Sequence, residues 1–193
     1  NTEVVHVCDR EADIYELFRD AASLGEKVLV RAAHNRAIDK TFQHEDATSW
    51  LFDKLSECRA QGRTQVTLQA NGKKKYREAT LSIVYKKVSV PAPTNRSVAK
   101  DGESLPMVSL TAIMAIERQG SLPLRDRACW VLLTNLEVDD VDSAIEKVRW
   151  YAQRWNIEVF HKVLKSGCGV EKAQLASAER LKKYIVIKSL IAS

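Results

Sequence analysis

Four side chains of complementary chemistry stand at helical spacing near the end of the chain: Tyr151, Arg154, Glu158 and Lys165. At about 100° per residue, the rotation of an α-helix, they fall within a stripe roughly 60° wide. Ile145, Val148, Trp155, Val159 and Val163 flank it on one side; Trp150, Ile157, Phe160 and Leu164 flank it on the other. A helix apolar on two sides is expected to be well buried. A charged stripe between those sides must meet partners, because an unpaired buried charge is costly. An acid set among a phenol, a guanidinium and an ammonium suits a site that holds metal and phosphate. It suits an internal ion-pair ladder equally well, since Arg154 and Glu158 are an i,i+4 pair.

Asp9 is the second candidate. The run Val4-Val5-His6-Val7-Cys8 reads as a strand, and Asp9 stands at its carboxyl end. Ligands of open α/β sheets bind beyond the carboxyl ends of strands, and a carboxylate there could hold a hard cation by its oxygens. Asp9 is also well placed to N-cap a helix beginning at Arg10. Glu11 and Asp13 then read as first-turn acids favoured by the helix dipole.

The elements that must position these residues follow from periodicity. Ala12, Ile14, Leu17, Phe18 and Ala21 give residues 10–24 a helical pattern, with Gly25 as its stop. Lys27–Ala33 reads as a second strand, so the first 34 residues form a strand–helix–strand unit with a parallel pair. Thr64–Ala70, Tyr76–Val90, Met107–Glu117 and Ala128–Leu136 are rich in β-formers. Asn71-Gly72 marks a hairpin between the first two, and Pro91–Pro106 reads as a loop. A short helix is expected near Ser49–Ala60. A helix capped by Asp142 or Ser143, with Glu146 three residues on, is expected to run to about Lys165 and end at Gly167 or Gly169. A last helix covers about 177–192.

Composition narrows the class. With 193 residues, 45% hydrophobic and 28% charged, the chain can build a packed core. No apolar run approaches the roughly 20 residues of a membrane span. The chain opens without Met, directly into a strand-like run, and stops inside an apolar helical pattern; it reads as a piece of a longer protein. Cys8, Cys58, Cys129 and Cys168 lack metal-knuckle spacing. Cys8 and Cys129 read as reduced buried thiols, which fits a cytosolic protein. The net charge of +5 hides two basic blocks. Residues 54–100 carry 11 Lys/Arg against 2 Asp/Glu, and 143–193 carry 10 against 4, while the other two blocks are acidic. Basic blocks point to a polyanion partner or to a well-solvated surface.

The pattern Tyr151-x-x-Arg154-x-x-x-Glu158-x-x-x-x-x-x-Lys165 resembles the tyrosine–arginine–glutamate–lysine signature of bacterial cut-and-paste DDE transposases of the insertion-sequence-four type. The neighbours Trp155, Ile157, Phe160, His161, Lys162, Gly167 and Gly169 agree with it. Cys8-Asp9-Arg10-Glu11-Ala12-Asp13-Ile14 resembles the segment carrying the family's second catalytic Asp, and Trp130-Val131-Leu132-Leu133-Thr134 resembles the strand before its Glu helix.

The resemblance implies an α/β fold: a partial ribonuclease H-like core (1–34 and 138–193) interrupted by a β-rich insertion subdomain (35–137). It implies metal-dependent cleavage and transfer of DNA strands, with Asp9 as second carboxylate, Glu158 as third and two Mg²⁺ or Mn²⁺ ions between them. Tyr151, Arg154 and Lys165 would hold phosphates of the transposon end. Trp130 would stack on a flipped base unless it is an ordinary buried strand Trp, and Arg31 would contact DNA. The implied partners are double-stranded DNA, as transposon ends and target, and a second copy in a synaptic dimer; no membrane is implied, and the place of action is the bacterial cytoplasm at the nucleoid. No residue before Asp9 can supply the family's first Asp, so this chain alone is expected to be inactive. A DNA-binding remnant and a stand-alone ribonuclease H-like nuclease are the other readings.

Overall fold

A computed structural model describes residues 3–38, 49–69, 76–93, 104–118 and 123–192. They fall into two compact units, Asn1–Ala152 and Gln153–Ser193.

The first unit is a six-stranded mixed sheet between helices. Strands β1 (Val5–Cys8) and β2 (Lys27–Arg31) run parallel, with Val5 beside Lys27 and Cys8 beside Val30. Helix α1 (Tyr15–Leu24) is the crossover and buries Tyr15, Phe18 and Ala21. It stops where expected: Gly25 takes the left-handed conformation, φ 73°, and its N–H donates to the Ala21 carbonyl. It starts later than the periodicity predicts. Residues Arg10–Ala12 form a 3-10 turn, and Asp13 and Ile14 leave helical geometry before α1 begins. Asp13 is buried rather than a first-turn acid, and the break turns its carboxylate inward.

A short ladder of β3 (Ala37–Ile38) and β4 (Ser49–Trp50) leads into α2 (Leu51–Ser56), the expected short helix. Strands β5 (Gly62–Gln69), β6 (Tyr76–Val90), β7 (Val108–Ile116) and β8 (Cys129–Thr134) are antiparallel neighbours. The Asn71-Gly72 turn and residues 94–103 of the proline-rich loop lie outside the described residues. Because β8 also pairs with β2, the strands of the β-rich segment continue the same sheet, in the order β1-β2-β8-β7-β6-β5. Two side-chain contacts fasten that junction. The Thr134 hydroxyl donates to the Val28 carbonyl at 2.6 Å, and the Asn135 amide both accepts from Val28 N–H and donates to the Glu26 carbonyl.

Alternation along the strands divides the core in two. Val30, Val84, Leu110, Ala112 and Leu133 pack with Phe18 of α1 and Leu51 and Leu55 of α2 on one face. Leu29, Leu81, Ile83, Ile113 and Leu132 pack on the other face with Ala144, Val148 and Tyr151 of α3 (Val141–Gln153). Burial on both faces accounts for continuous apolar runs such as Val131–Leu133. The cap of α3 is Asp140, not Asp142 or Ser143. Its Oδ1 accepts from Ser143 N–H at 2.7 Å, and Ser143 Oγ accepts from Asp140 N–H. Hydrogen bonding from the Ser143 N–H and hydroxyl to the Asp140 carboxylate holds that carboxyl below its ordinary range.

In the second unit the expected continuous helix to Lys165 is broken. Arg154 and Trp155 form a turn, and Ile157 N–H and Glu158 N–H donate to Arg154 and Trp155 three residues back, a tightened 3-10 pattern. Helix α4 (Asn156–Lys162) passes into a π-helical turn at Val163–Gly167, and α5 (Ala178–Ala192) follows. None of the residues of α4 or α5 is buried. Expected burial on two sides therefore holds for α3 and fails for α4, where Ile157 and Val159 are 47% and 42% exposed. No described helix is long and apolar enough to cross a membrane.

Candidate functional site around Asp9

The carboxyl ends of β1 and β2 and the amino end of β8 meet at one end of the sheet, because β1 and β2 are parallel and β8 runs against them. Asp9 follows β1 in extended conformation, half-buried. Its Oδ1 accepts the Arg10 N–H at 2.9 Å and so caps the 3-10 turn. The same oxygen accepts the Tyr151 hydroxyl at 3.1 Å. One atom thus both caps the turn and receives the Tyr151 hydroxyl.

Tyr151 can reach Asp9 because α3 lies across the sheet face that ends there. The residue is only 4% exposed, and its ring meets Trp130 of β8 edge-to-face, with centroids 5.2 Å apart and planes at 69°. Trp130 is half-buried. One face of it thus serves the core, in keeping with the plain reading of a strand Trp, while the residue remains at the sheet end. Arg31 closes β2, half-buried, and its guanidinium reaches the Cys129 carbonyl at 3.4 Å. Loss of solvent around the sulfur raises the Cys129 thiol, and the positive charges of Arg31 and Arg10 oppose that rise. Cys129 itself is exposed, unlike the buried thiol expected; Cys8 is half-buried, and burial raises its thiol.

Four of the seven candidates, Asp9, Tyr151, Trp130 and Arg31, are therefore gathered within the first unit. Within the second, Arg154 Nη2 donates to Glu158 Oε1 at 3.3 Å, the i,i+4 pair anticipated from spacing. Lys165 stands in the π-helical turn, and its ammonium pairs with Glu171 at 3.2 Å.

Sequence reading missed two residues here. Arg10 is visible in the sequence only as a neighbour of Asp9. Asp13 is the other: its side chain is fully buried, accepts Ala33 N–H at 2.7 Å, and is paired with Arg36. A buried acid paired across 23 residues leaves no local signal.

The donor chemistry fits a hard divalent cation. Asp9 and Glu158 offer carboxylate oxygens, the ligand type Mg²⁺ and Mn²⁺ take, and Mg²⁺ is held by few carboxylates while keeping several waters. Among the described residues no three His, Cys, Asp or Glu side chains gather into one metal cluster.

The family model described as the transposase DDE domain matches residues 2–193. That match covers both the segment around Asp9 and the segment with Tyr151, Arg154, Glu158 and Lys165, and it implies DNA transposition. The chain belongs to the transposase DDE domain family.

Proposed function

We propose that this chain is the catalytic-core portion of a DDE transposase of the insertion-sequence-four type, cleaving and joining DNA strands in the bacterial cytoplasm. Its core is ribonuclease H-like, made of 1–34 and 138–193 around a β-rich insertion at 35–137. The observation that carries this reading is the Tyr151–Asp9 hydrogen bond. It brings the acid at the end of β1 onto a residue of the signature in α3.

Asp9 and Glu158 are the second and third carboxylates of the site. When bound there, two divalent cations would activate an attacking oxygen and stabilise the leaving one. Tyr151, Arg154 and Lys165 bind phosphates of the transposon end. Arg154 and Lys165 leave their present carboxylate partners, Glu158 and Glu171, to do so. Trp130 offers an aromatic face to a displaced base, a contact worth roughly 1–3 kcal/mol, and Arg31 supports the backbone beside it. Water as nucleophile nicks a strand; a freed 3′-hydroxyl as nucleophile joins one. DNA, as transposon end and target, and a second copy in the synaptic complex are the partners.

The test is strand cleavage by the intact protein on DNA bearing its transposon end. Asp9→Asn and Glu158→Gln should each abolish cleavage while leaving end binding within a few-fold. Cleavage that survives either change would exclude the assignment. Retained binding with no cleavage in the unmodified protein would favour a DNA-binding remnant.

A further inference from the structure

Asp13 is a buried acid at the sheet end. Its Oδ2 accepts Ala33 N–H at 2.7 Å and His34 N–H at 3.3 Å; its Oδ1 and its main-chain carbonyl both accept from Arg36 Nη2. The carboxylate is fully buried, and the Arg36 guanidinium lies 5.9 Å from the centroid of the Phe18 ring. Asp13 therefore ties the segment after β1 to the segment after β2. These are the two strand ends that flank the crevice where open α/β sheets bind ligands.

Only three residues, Arg10–Ala12, separate Asp13 from Asp9, and they form one closed turn. Ala12 N–H donates to the Asp9 carbonyl at 3.0 Å and Asp13 N–H to the Arg10 carbonyl at 3.1 Å. Fixing Asp13 fixes the turn, and the turn carries the Asp9 carboxylate at its other end. We propose that Asp13, held by Arg36, is a positioning residue that sets the direction of the Asp9 carboxylate. Asp13 touches neither DNA nor metal; it acts through the turn. The inference rests on the reading of Asp9 as a metal-binding carboxylate.

Partners that orient a metal ligand typically cost roughly 10- to 100-fold in metal affinity or activity when removed. The experiment is strand cleavage by the intact protein, with DNA and Mn²⁺ concentrations varied separately, for the unmodified protein, Asp13→Asn, Arg36→Lys and Asp9→Asn. Circular dichroism and thermal melting report the folded fraction of each. The expected result for folded Asp13→Asn is a kcat lowered roughly tenfold or more, a half-saturating Mn²⁺ concentration raised in step, and an unchanged KM for DNA. Arg36→Lys keeps a cation against the buried carboxylate but loses the flat fork; it should fold and move both quantities the same way by less. It decides the question alone if Asp13→Asn does not fold. Wild-type kcat and Mn²⁺ dependence in the folded variants would overturn the positioning role, as would losses that follow only the unfolded fraction. Asp9→Asn separates the two ideas: cleavage lost there and kept in the Asp13 and Arg36 variants removes the positioning role alone, while cleavage kept in Asp9→Asn removes the reading beneath it.

Discussion

The Tyr151 hydroxyl donates to Asp9 Oδ1 at 3.1 Å, across 142 positions of sequence. The tyrosine ring is held from the side by Trp130. A strand end, a helix and a neighbouring strand thus fix one carboxylate oxygen, which also caps the turn that follows it.

Tyr151→Phe removes the hydroxyl and keeps the ring. Loss of one hydrogen bond to a carboxylate should lower stability by about 1.5–3 kcal/mol. Trp130→Ala should cost about 3–5 kcal/mol, the range for truncating a large aromatic, discounted because Trp130 is only half-buried. Denaturant unfolding checks both. A Trp130→Ala cost below that of Tyr151→Phe would contradict the packing described here.

Gly62 sits where β5 passes under the start of α3. A Cβ at this position would overlap Val141 Cγ2, on a stiff β-branched side chain at the first residue of α3. Gly62→Ala should destabilise by about 1–3 kcal/mol, the usual cost of overpacking. Val141→Ala in the same chain should recover part of it, since the two sites share one contact. Melting of the four-member cycle reads the coupling, and strict additivity would rule out the close approach.

Glu117, just after β7, is 5% exposed and receives a two-pronged contact from Arg77 at 2.7 and 2.8 Å, with Ala128 N–H at 3.0 Å. The Arg77 hydrogen bonds, against the opposing effect of burial, hold the Glu117 carboxyl below its ordinary range. A carboxyl depressed in the folded state binds fewer protons there than in the unfolded state. Its stabilisation is full above the ordinary glutamate value and is lost as pH falls through that value toward the lower folded one. Glu117→Gln should therefore be less stable than the unmodified chain near neutrality, and the gap should close on acidification. Paired chemical denaturation across that range measures it; a gap that widens in acid would reverse the sign of the linkage.

Much of the fold is legible because it is locally encoded. The alternation of Val28, Leu29 and Val30, the glycine stop at Gly25 and the β-branched runs mark their own elements. The junction of β2 with β8 is not, since nothing near Leu29 specifies Thr134 as its partner. Nor is the break after Gln153: no proline or glycine stands there to mark it. At the site, Asp9 and Tyr151 were legible from residue type and place. Asp13 was not, because a buried acid and a first-turn acid look alike until the partner, Arg36, is brought beside it.

The proposed function requires Asp9 and Glu158 to bind the same metal ions. Calorimetric titration of Mn²⁺ into the intact protein, beside Asp9→Asn and Glu158→Gln, tests it most directly. The account predicts saturable binding in the unmodified protein, weakened roughly tenfold or more by either substitution, as expected when a charged oxygen ligand is removed. Mn²⁺ affinity unchanged by either substitution would contradict it.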